Sequence, residues 1–321
     1  MYFYTLANTI LKAKRVLLIT HPNPDADAVG SVSAMTGYCQ SLNKSCLAFY
    51  PDPLPFQLRS IPWANDISNN ISDLSLFCPD VIIVLDFSDK ARFARLGITT
   101  FLASLPRRSY QFVIIDHHVD TDLEADIRLV DTRAVSTTEI LVLYFQFIKF
   151  PLNSLVSESL LAGLLGDTEN FTNSCITPRS IEVAANLVRN GVSISRLAYL
   201  SSLKNVAELR LFGLALARLS FNEKYRVAYT VIRKEDSGKL GVENNAIGGL
   251  SNYLKRLGKK YTILVLCEHA DGYVTGSFRS VVSSINVAKL AKFFGGGGHV
   301  QAAGFRIKGR LERSNGYWKI V

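Results

Sequence analysis

Three candidate metal donors, His21, Asp25 and Asp27, fall within seven residues of the segment His21-Pro-Asn-Pro-Asp25-Ala-Asp27-Ala-Val-Gly30-Ser31. Pro22 and Pro24 stiffen the loop and lower the entropy cost of holding ligands in place. Two residues apart in an extended loop, Asp25 and Asp27 can both turn toward one site. Gly30 allows close backbone approach where a helix begins. The plain alternative is an Asp-rich turn with Asp27 capping that helix. Asp86 follows the apolar run Val81-Ile-Ile-Val-Leu85, where an unpaired charge would cost several kcal/mol (order of magnitude). Such a carboxylate must be hydrogen-bonded, paired or metal-bound. Asp116-His117-His118 follows another apolar run and sets two imidazoles near one point. A carboxylate beside them can orient a ring nitrogen. Three of the five histidines lie in these two clusters, which argues against indifferent surface residues. Asp167, in Gly166-Asp167-Thr168, adds a fourth acidic position. Carboxylate and imidazole together are the donors of a hard or borderline divalent ion, not of a thiolate metal.

The elements that must carry these residues have a recurring form. The short β-branched runs 16–19, 81–85 and 113–115 read as buried strands in a parallel sheet. Each is followed at once by one of the polar clusters. Helical spacing covers 30–42, 137–148 and 157–165. Alternating strands and helices give an α/β fold with an open, mostly parallel sheet flanked by helices, and ligands bind such sheets at the carboxyl ends of the strands. From 178 to 219 the pattern is helical, with Gly191 as a stop between two helices. Beyond it, 225–232 and 261–267 read as strands, and 273–278 pairs with the latter through a turn at Asp271-Gly272. A helix at 287–293 precedes Gly295-Gly-Gly-Gly-His299. The expected organisation is a catalytic domain over 1–192, a helical linker over 193–222 and a smaller α+β domain over 223–321.

Composition narrows the function classes. Hydrophobic residues make up 48% of the 321-residue chain and charged residues 20%, enough for packed cores and too apolar for disorder. The most apolar stretch, 140–152, is broken by Gln146 and Lys149, so no membrane-spanning run is expected. The run 16–19 is too short for a signal-peptide core, and a cytoplasmic location is expected. Five scattered cysteines without a C-x-x-C pair offer neither a zinc site nor a disulfide framework. A net charge of +9 suits an anionic partner such as a nucleotide. No Walker motif is present, which speaks against ATP-driven chemistry.

The ordered set His21-x-x-Pro-Asp25-x-Asp27-x-x-Gly30-Ser31, Asp86, Asp116-His117-His118 and Asp167-Thr168 resembles the four motifs of the DHH phosphoesterase family. Ser136-Thr-Thr-Glu139-Ile is similar to a further family segment. Phe278-Arg279-Ser280 and Gly295-Gly-Gly-Gly-His299-Val-Gln-Ala-Ala-Gly304-Phe305 resemble its DHH-associated C-terminal domain. The compact two-domain form resembles the bacterial nanoRNase and 3′,5′-bisphosphonucleotide phosphatase type.

This resemblance implies two divalent ions, usually Mn2+, with Mg2+ or Co2+ as alternatives. His21, Asp25 and Asp86 would hold one ion, and Asp27, Asp86, His117 and Asp167 the other, with Asp86 bridging. A hydroxide shared by two ions about 3.5–4 Å apart can attack phosphorus in line. His118 would contact the scissile phosphate, and Asp116 would orient a neighbouring histidine. Arg279, Ser280, the backbone of Gly296, Gly297 and Gly298, and His299 would grip the substrate, with the glycine N–H groups forming an anion-binding concavity. The implied substrates are very short oligonucleotides such as pApA, together with 3′-phosphoadenosine-5′-phosphate. A soluble cyclic-dinucleotide phosphodiesterase and a nucleotide-binding regulator with altered catalysis are the alternatives. A homodimer is the expectation by base rate. Two departures stand out. Glu169 occupies a position where many members have glycine, and 310–321 has to complete the last strand by itself.

Overall fold

The structure is a computed structural model that describes residues 2–321 other than 88, 95, 107–108, 120–121, 174, 204, 243–248, 283 and 315–316, with backbone alone at 75, 91, 92, 259, 299 and 317. The chain divides into two compact units, residues 1–203 and 204–321. The boundary falls inside the stretch 193–222 that reads as a linker. Among the described residues no helix is long and apolar enough to cross a membrane.

In the first unit a five-stranded sheet has the order β2-β1-β3-β4-β5, formed by β1 (Arg15–Ile19), β2 (Ser45–Phe49), β3 (Val81–Leu85), β4 (Gln111–Asp116) and β5 (Ile127–Val130). Every pairing is parallel. Side chains alternate between two cores, as a period of two requires. Val16, Leu18, Ile83, Leu85, Val113 and Ile115 join one core. Leu17, Ile19, Ile82, Val84 and Ile114 join the other. The central β3 is buried along its length, which is why Val-Ile-Ile-Val-Leu carries no polar residue.

One face is covered by α1 (Tyr2–Lys12), α2 (Ala26–Ser41), α6 (Thr137–Phe147), α7 (Ser154–Asp167), α8 (Pro178–Arg189) and α9 (Ile194–Ser202). The other carries the shorter α3 (Ser72–Ser75), α4 (Lys90–Ala94) and α5 (Ile98–Ser104). Register aligns the strand ends, with Ile19 beside Val84 and Leu85 beside Ile115. The chain therefore leaves β1, β3 and β4 at one edge, and the polar clusters follow there.

Helix α2 starts four residues before the expected Gly30. Asp25 caps it, its carboxylate accepting the N–H groups of Asp27 and Ala28 at 3.0 Å each. The cap is therefore Asp25 and not Asp27, which sits inside the first turn. Helices α2 and α7 touch through glycine. A Cβ on Gly30 would lie 2.4 Å from the Ser159 carbonyl oxygen.

In the second unit a six-stranded mixed sheet has the order β10-β11-β9-β8-β7-β6. Its strands are β6 (Ser220–Asn222), β7 (Val227–Ile232), β8 (Thr262–Glu268), β9 (Tyr273–Arg279), β10 (Gly297–His299) and β11 (Ala302–Lys308). Among the described residues of this sheet, only β7 and β8 run parallel. Its helices are α10 (Val206–Ala217), α11 (Lys234–Leu240), α12 (Leu250–Leu254) and α13 (Val287–Phe293). The expected helical segment 194–219 is two helices, α9 and α10, split between the units. The tail also differs from expectation. Residues 310–321 do not complete the large sheet; β12 (Leu311–Ser314) and β13 (Tyr317–Ile320) pair with each other as a separate two-stranded sheet.

Candidate metal centre

Asp86 leaves β3 in a left-handed conformation with φ 56° while its N–H still donates to the Ile115 carbonyl at 3.0 Å. Its side chain is 1% exposed and accepts the Thr137 hydroxyl at 3.0 Å. Three imidazoles converge on it. His21 Nε2 is 3.6 Å from Oδ2, His117 Nε2 is 3.5 Å from Oδ1, and His118 Nδ1 is 3.7 Å from Oδ1. His117 Nε2 also meets Asp167 Oδ2 at 3.2 Å, and His21 Nε2 lies 3.9 Å from Asp25 Oδ1.

Ring orientation follows from the other nitrogens. His21 Nδ1 donates to the Pro22 carbonyl at 2.9 Å, which leaves the Nε2 lone pair facing Asp25 and Asp86. Asp116 is fully buried, and its Oδ1 accepts the His117 and His118 backbone N–H groups and His118 Nδ1, the last at 2.8 Å. The histidine that Asp116 orients is His118.

Asp27 is buried and saturated on one side. Oδ1 accepts the Thr138 N–H at 3.0 Å and the Thr138 hydroxyl at 2.7 Å, and Oδ2 accepts the Thr137 N–H at 2.6 Å. The N-terminus of α6 thus holds the carboxylate, where orphan amides and the helix dipole favour negative charge. Thr137 and Thr138 serve the site in a way that the motif spacing did not reveal. A capping box was the available signal, since Ser136 and Glu139 mark the start of a helix. Ser136 Oγ accepts the Glu139 N–H at 3.1 Å.

The expected metal residues of the first unit all come together. Donor atoms lie within 4.8 Å of one another in three overlapping groups: His21, Asp25 and Asp86; Asp27, His117 and Asp167; Asp86, His117 and His118. Asp86 and His117 are each shared by two groups. Such a donor set suits divalent cations, and the electrostatics agree. Burial, and then the charges of Asp27, Asp25 and Asp167, push the Asp86 carboxyl well above its ordinary range, against an opposing pull from His117. Burial and Asp27 likewise push Asp167 up to about 7. Burial pulls His117 down, but its hydrogen bond to Asp167 and the charge of Asp86 prevail and raise it to about 11. Without a cation, the cluster retains protons to offset its crowded carboxylates.

The turn after Asp167 carries three successive left-handed residues, Glu169, Asn170 and Phe171, with φ of 51°, 58° and 61°. This explains why a glycine suits position 169. Asn170 N donates to Leu165 O at 2.8 Å and Asn173 Nδ2 to Asp167 O at 2.5 Å, and Phe171 packs on the core. These contacts hold the turn.

The expected substrate residues of the second unit fare unevenly. Arg279 Nε donates to Asn252 Oδ1 at 2.6 Å and Nη1 to Phe278 O at 2.8 Å. Ser280 is buried, and its hydroxyl closes a turn on Val282, accepting its N–H at 3.1 Å. That hydroxyl is therefore engaged by its own loop. Gly295 N donates to Lys292 O and Gly296 N to Ala291 O, so these two amides finish α13 and are withdrawn from any anion. Gly296 is needed for packing, because a Cβ there would lie 2.1 Å from Gly304 O. Gly297 and Gly298 stand on the edge strand β10; the side chain of His299 lies outside the described residues.

The DHH family N-terminal domain matches residues 15–165, and the DHHA1 domain matches residues 223–315. The chain belongs to the DHH family of phosphoesterases. It is 25% identical over 318 residues to the bifunctional oligoribonuclease and PAP phosphatase NrnA of Thermus thermophilus, covering 98% of this chain and 91% of that protein. The protein of the same name from Bacillus subtilis is 26% identical over 308 residues, covering 94% and 92%. A solved exopolyphosphatase-related protein from Bacteroides fragilis shares the fold, with a TM-score of 0.85 at 22% identity over 95% of this chain and 90% of that one.

Proposed function

We propose that this chain hydrolyses very short oligonucleotides of the pApA class to mononucleotides, acts also on 3′-phosphoadenosine-5′-phosphate, and works with two Mn2+ ions. The observation that carries this reading is the overlap of three donor groups through Asp86 and His117. Overlap of that kind suits a pair of ions with a common carboxylate rather than one isolated ion. The names of the full-length relatives, oligoribonuclease and PAP phosphatase, supply the substrate class.

In this reading His21, Asp25 and Asp86 would hold one ion, and Asp27, Asp86, His117 and Asp167 would hold the other. When bound, such a pair of ions would supply Lewis-acid activation of water and neutralisation of charge at the phosphoryl group. The chain's own residues do the rest. Thr137 and Thr138 fix the carboxylates of Asp86 and Asp27 before substrate arrives. Asp116 holds His118 by Nδ1, so Nε2 is the atom that meets a phosphoryl oxygen and stabilises its developing charge. Arg279, steadied by Asn252, clamps a phosphate through its guanidinium. The five cysteines stand as free thiols, which suits the reducing cytoplasm.

A substrate panel with added Mn2+ tests the reading: pApA, a short RNA, a long RNA, 3′-phosphoadenosine-5′-phosphate, cyclic-di-AMP and pyrophosphate. Cleavage of pApA and the short RNA, abolished in Asp86→Ala, is the expected result. Preference for the long RNA, the cyclic dinucleotide or pyrophosphate overturns the substrate assignment. Nucleotide binding without any turnover overturns the enzymatic reading.

A further inference from the structure

Arg179 lies in the first turn of α8, where a cation opposes the helix dipole. Two carboxylates account for its presence. Its Nε donates to Glu139 Oε1 at 2.5 Å and its Nη1 to Asp131 Oδ2 at 3.1 Å. The helix start that carries it is held rigidly, because Thr177 and Ser180 cap it reciprocally and Pro178 occupies its first position.

The two partners of Arg179 stand at either end of one connection. Asp131 directly follows β5, and Glu139 lies in the first turn of α6. Glu139 is fully buried, and its Oε2 accepts the Val135 N–H at 2.7 Å, so the carboxylate ties the loop to the helix on one side and to Arg179 on the other. Asp131 N donates to Asp116 O at 3.1 Å, and Ala134 N donates to Asp131 O at 3.0 Å. The braced connection delivers Thr137 and Thr138 to Asp27 and Asp86, and at its other end it meets the residue that orients His118.

We infer that Arg179, acting through Glu139 and Asp131, is a positioning residue for the metal-binding carboxylates, setting where the start of α6 meets Asp27 and Asp86. This inference rests on the two-ion reading above. Arg179 touches none of the candidate ligands; its effect passes through the amides and hydroxyls of Thr137 and Thr138. Supports of this kind typically alter metal affinity or activity by about 10–100-fold.

The test is Mn2+ binding by the full chain, measured as free Mn2+ by EPR, with circular dichroism and melting on the same samples. The set comprises wild type, Arg179→Gln, Arg179→Lys, Glu139→Gln, the Arg179→Gln/Glu139→Gln double variant, and Arg196→Gln as a control. Arg196, on α9, pairs with Glu158 of α7 at 2.9 Å. Folded Arg179→Gln and Glu139→Gln should bind Mn2+ about tenfold or more weakly. The double variant should be little worse than either, since both remove one brace. Arg179→Lys should recover part of the loss, and Arg196→Gln should match wild type. With pApA, kcat should fall in the brace variants while KM stays within about twofold, because ground-state contacts are untouched. If Arg179→Gln does not fold, Arg179→Lys, which keeps the charge but not the fork, carries the comparison. Folded variants with lowered melting temperature but unchanged Mn2+ affinity would overturn the inference and leave Arg179 a purely structural residue. A wild-type protein that takes up no Mn2+ would overturn the metal reading itself.

Discussion

Gly163→Ala separates the stability of the fold from the placement of a metal ligand. Gly163 faces the α6 start from α7. A Cβ there would lie 2.5 Å from Thr138 Cγ2, 2.8 Å from Thr138 Oγ1 and 2.8 Å from Asp27 Oδ1. All three distances are too short to stand, so the methyl must displace Thr138, Asp27 or both. Alanine gains about 0.8–1 kcal/mol over glycine in a helix interior. Overpacking a tight site costs about 1–3 kcal/mol. The net change in stability is therefore small, a loss of roughly 0–2 kcal/mol. Asp27 fares worse. Its three hydrogen bonds span 2.6–3.0 Å, and losing one that involves a charged group costs about 1.5–3 kcal/mol. If that cost appears in ion binding, Mn2+ affinity falls by roughly 10–150-fold, since each 1.4 kcal/mol or so is a factor of ten. Calorimetric titration of Mn2+ into the folded variant, with a urea melt beside it, measures both quantities. An alanine variant as stable as wild type that binds Mn2+ equally well would refute the argument that Gly163 is there to make room for Asp27.

Thr137→Val removes the hydroxyl bonded to Asp86 and leaves a buried carboxylate short of a partner; kcat should fall at least tenfold with KM little changed, measured on pApA by chromatography. Glu169→Gly relieves a left-handed residue that costs about 1–2 kcal/mol, less the roughly 0.5–1 kcal/mol that glycine loses in chain entropy, so the urea midpoint should rise modestly. The pH dependence of the metal-free protein has a defined sign. Asp167 is raised from 3.8 to about 7, so the folded state holds a proton that the unfolded state releases, and stability falls as pH rises through that window. His117 is raised from 6.5 to about 11, so its contribution is complete below 6.5 and disappears as pH climbs toward 11. Stabilisation by Mn2+ should therefore grow from pH 5.5 to 8, because the ion must displace these protons; melting curves with and without Mn2+ across that range check it.

The strand ends were readable because a parallel sheet buries its strands on both faces, so an acidic residue after Val81-Ile-Ile-Val-Leu85 or Val113-Ile-Ile115 has to mark an edge. Order of motifs then pointed to the family. Contacts made by backbone groups distant in sequence were not readable. Nothing in the spacing of Asp27 and Thr137, 110 residues apart, announces that one caps the other. The same holds for Gly163, whose meaning appears only when α7 meets α6 and α2. Local chemistry misled at Asp25, since both aspartates are competent caps and only the backbone at 25 is extended. At Gly295 and Gly296 the run of glycines suggested open amides, but two were needed to finish a helix. The pairing of β12 with β13 is not legible in the sequence because edge register is set by pairing partners, not by hydrophobic alternation alone.

Helix α2 is buried from Asp27 through Cys39, wedged between the sheet and α7 with glycine at the contact. It behaves as a rod that can neither roll nor slide without opening the core, and Asp27 is fixed to its end. Asp86 is anchored as firmly, at 1% exposure. Across the same cluster, Asp25 is 57% exposed and His118 42%. The cluster thus has a closed floor and a solvent-facing rim, and both rim residues are held, Asp25 as the cap of α2 and His118 by Asp116. Ions can therefore reach the cluster from the solvent side without the core opening, so exchange of one metal for another should proceed with the protein folded throughout.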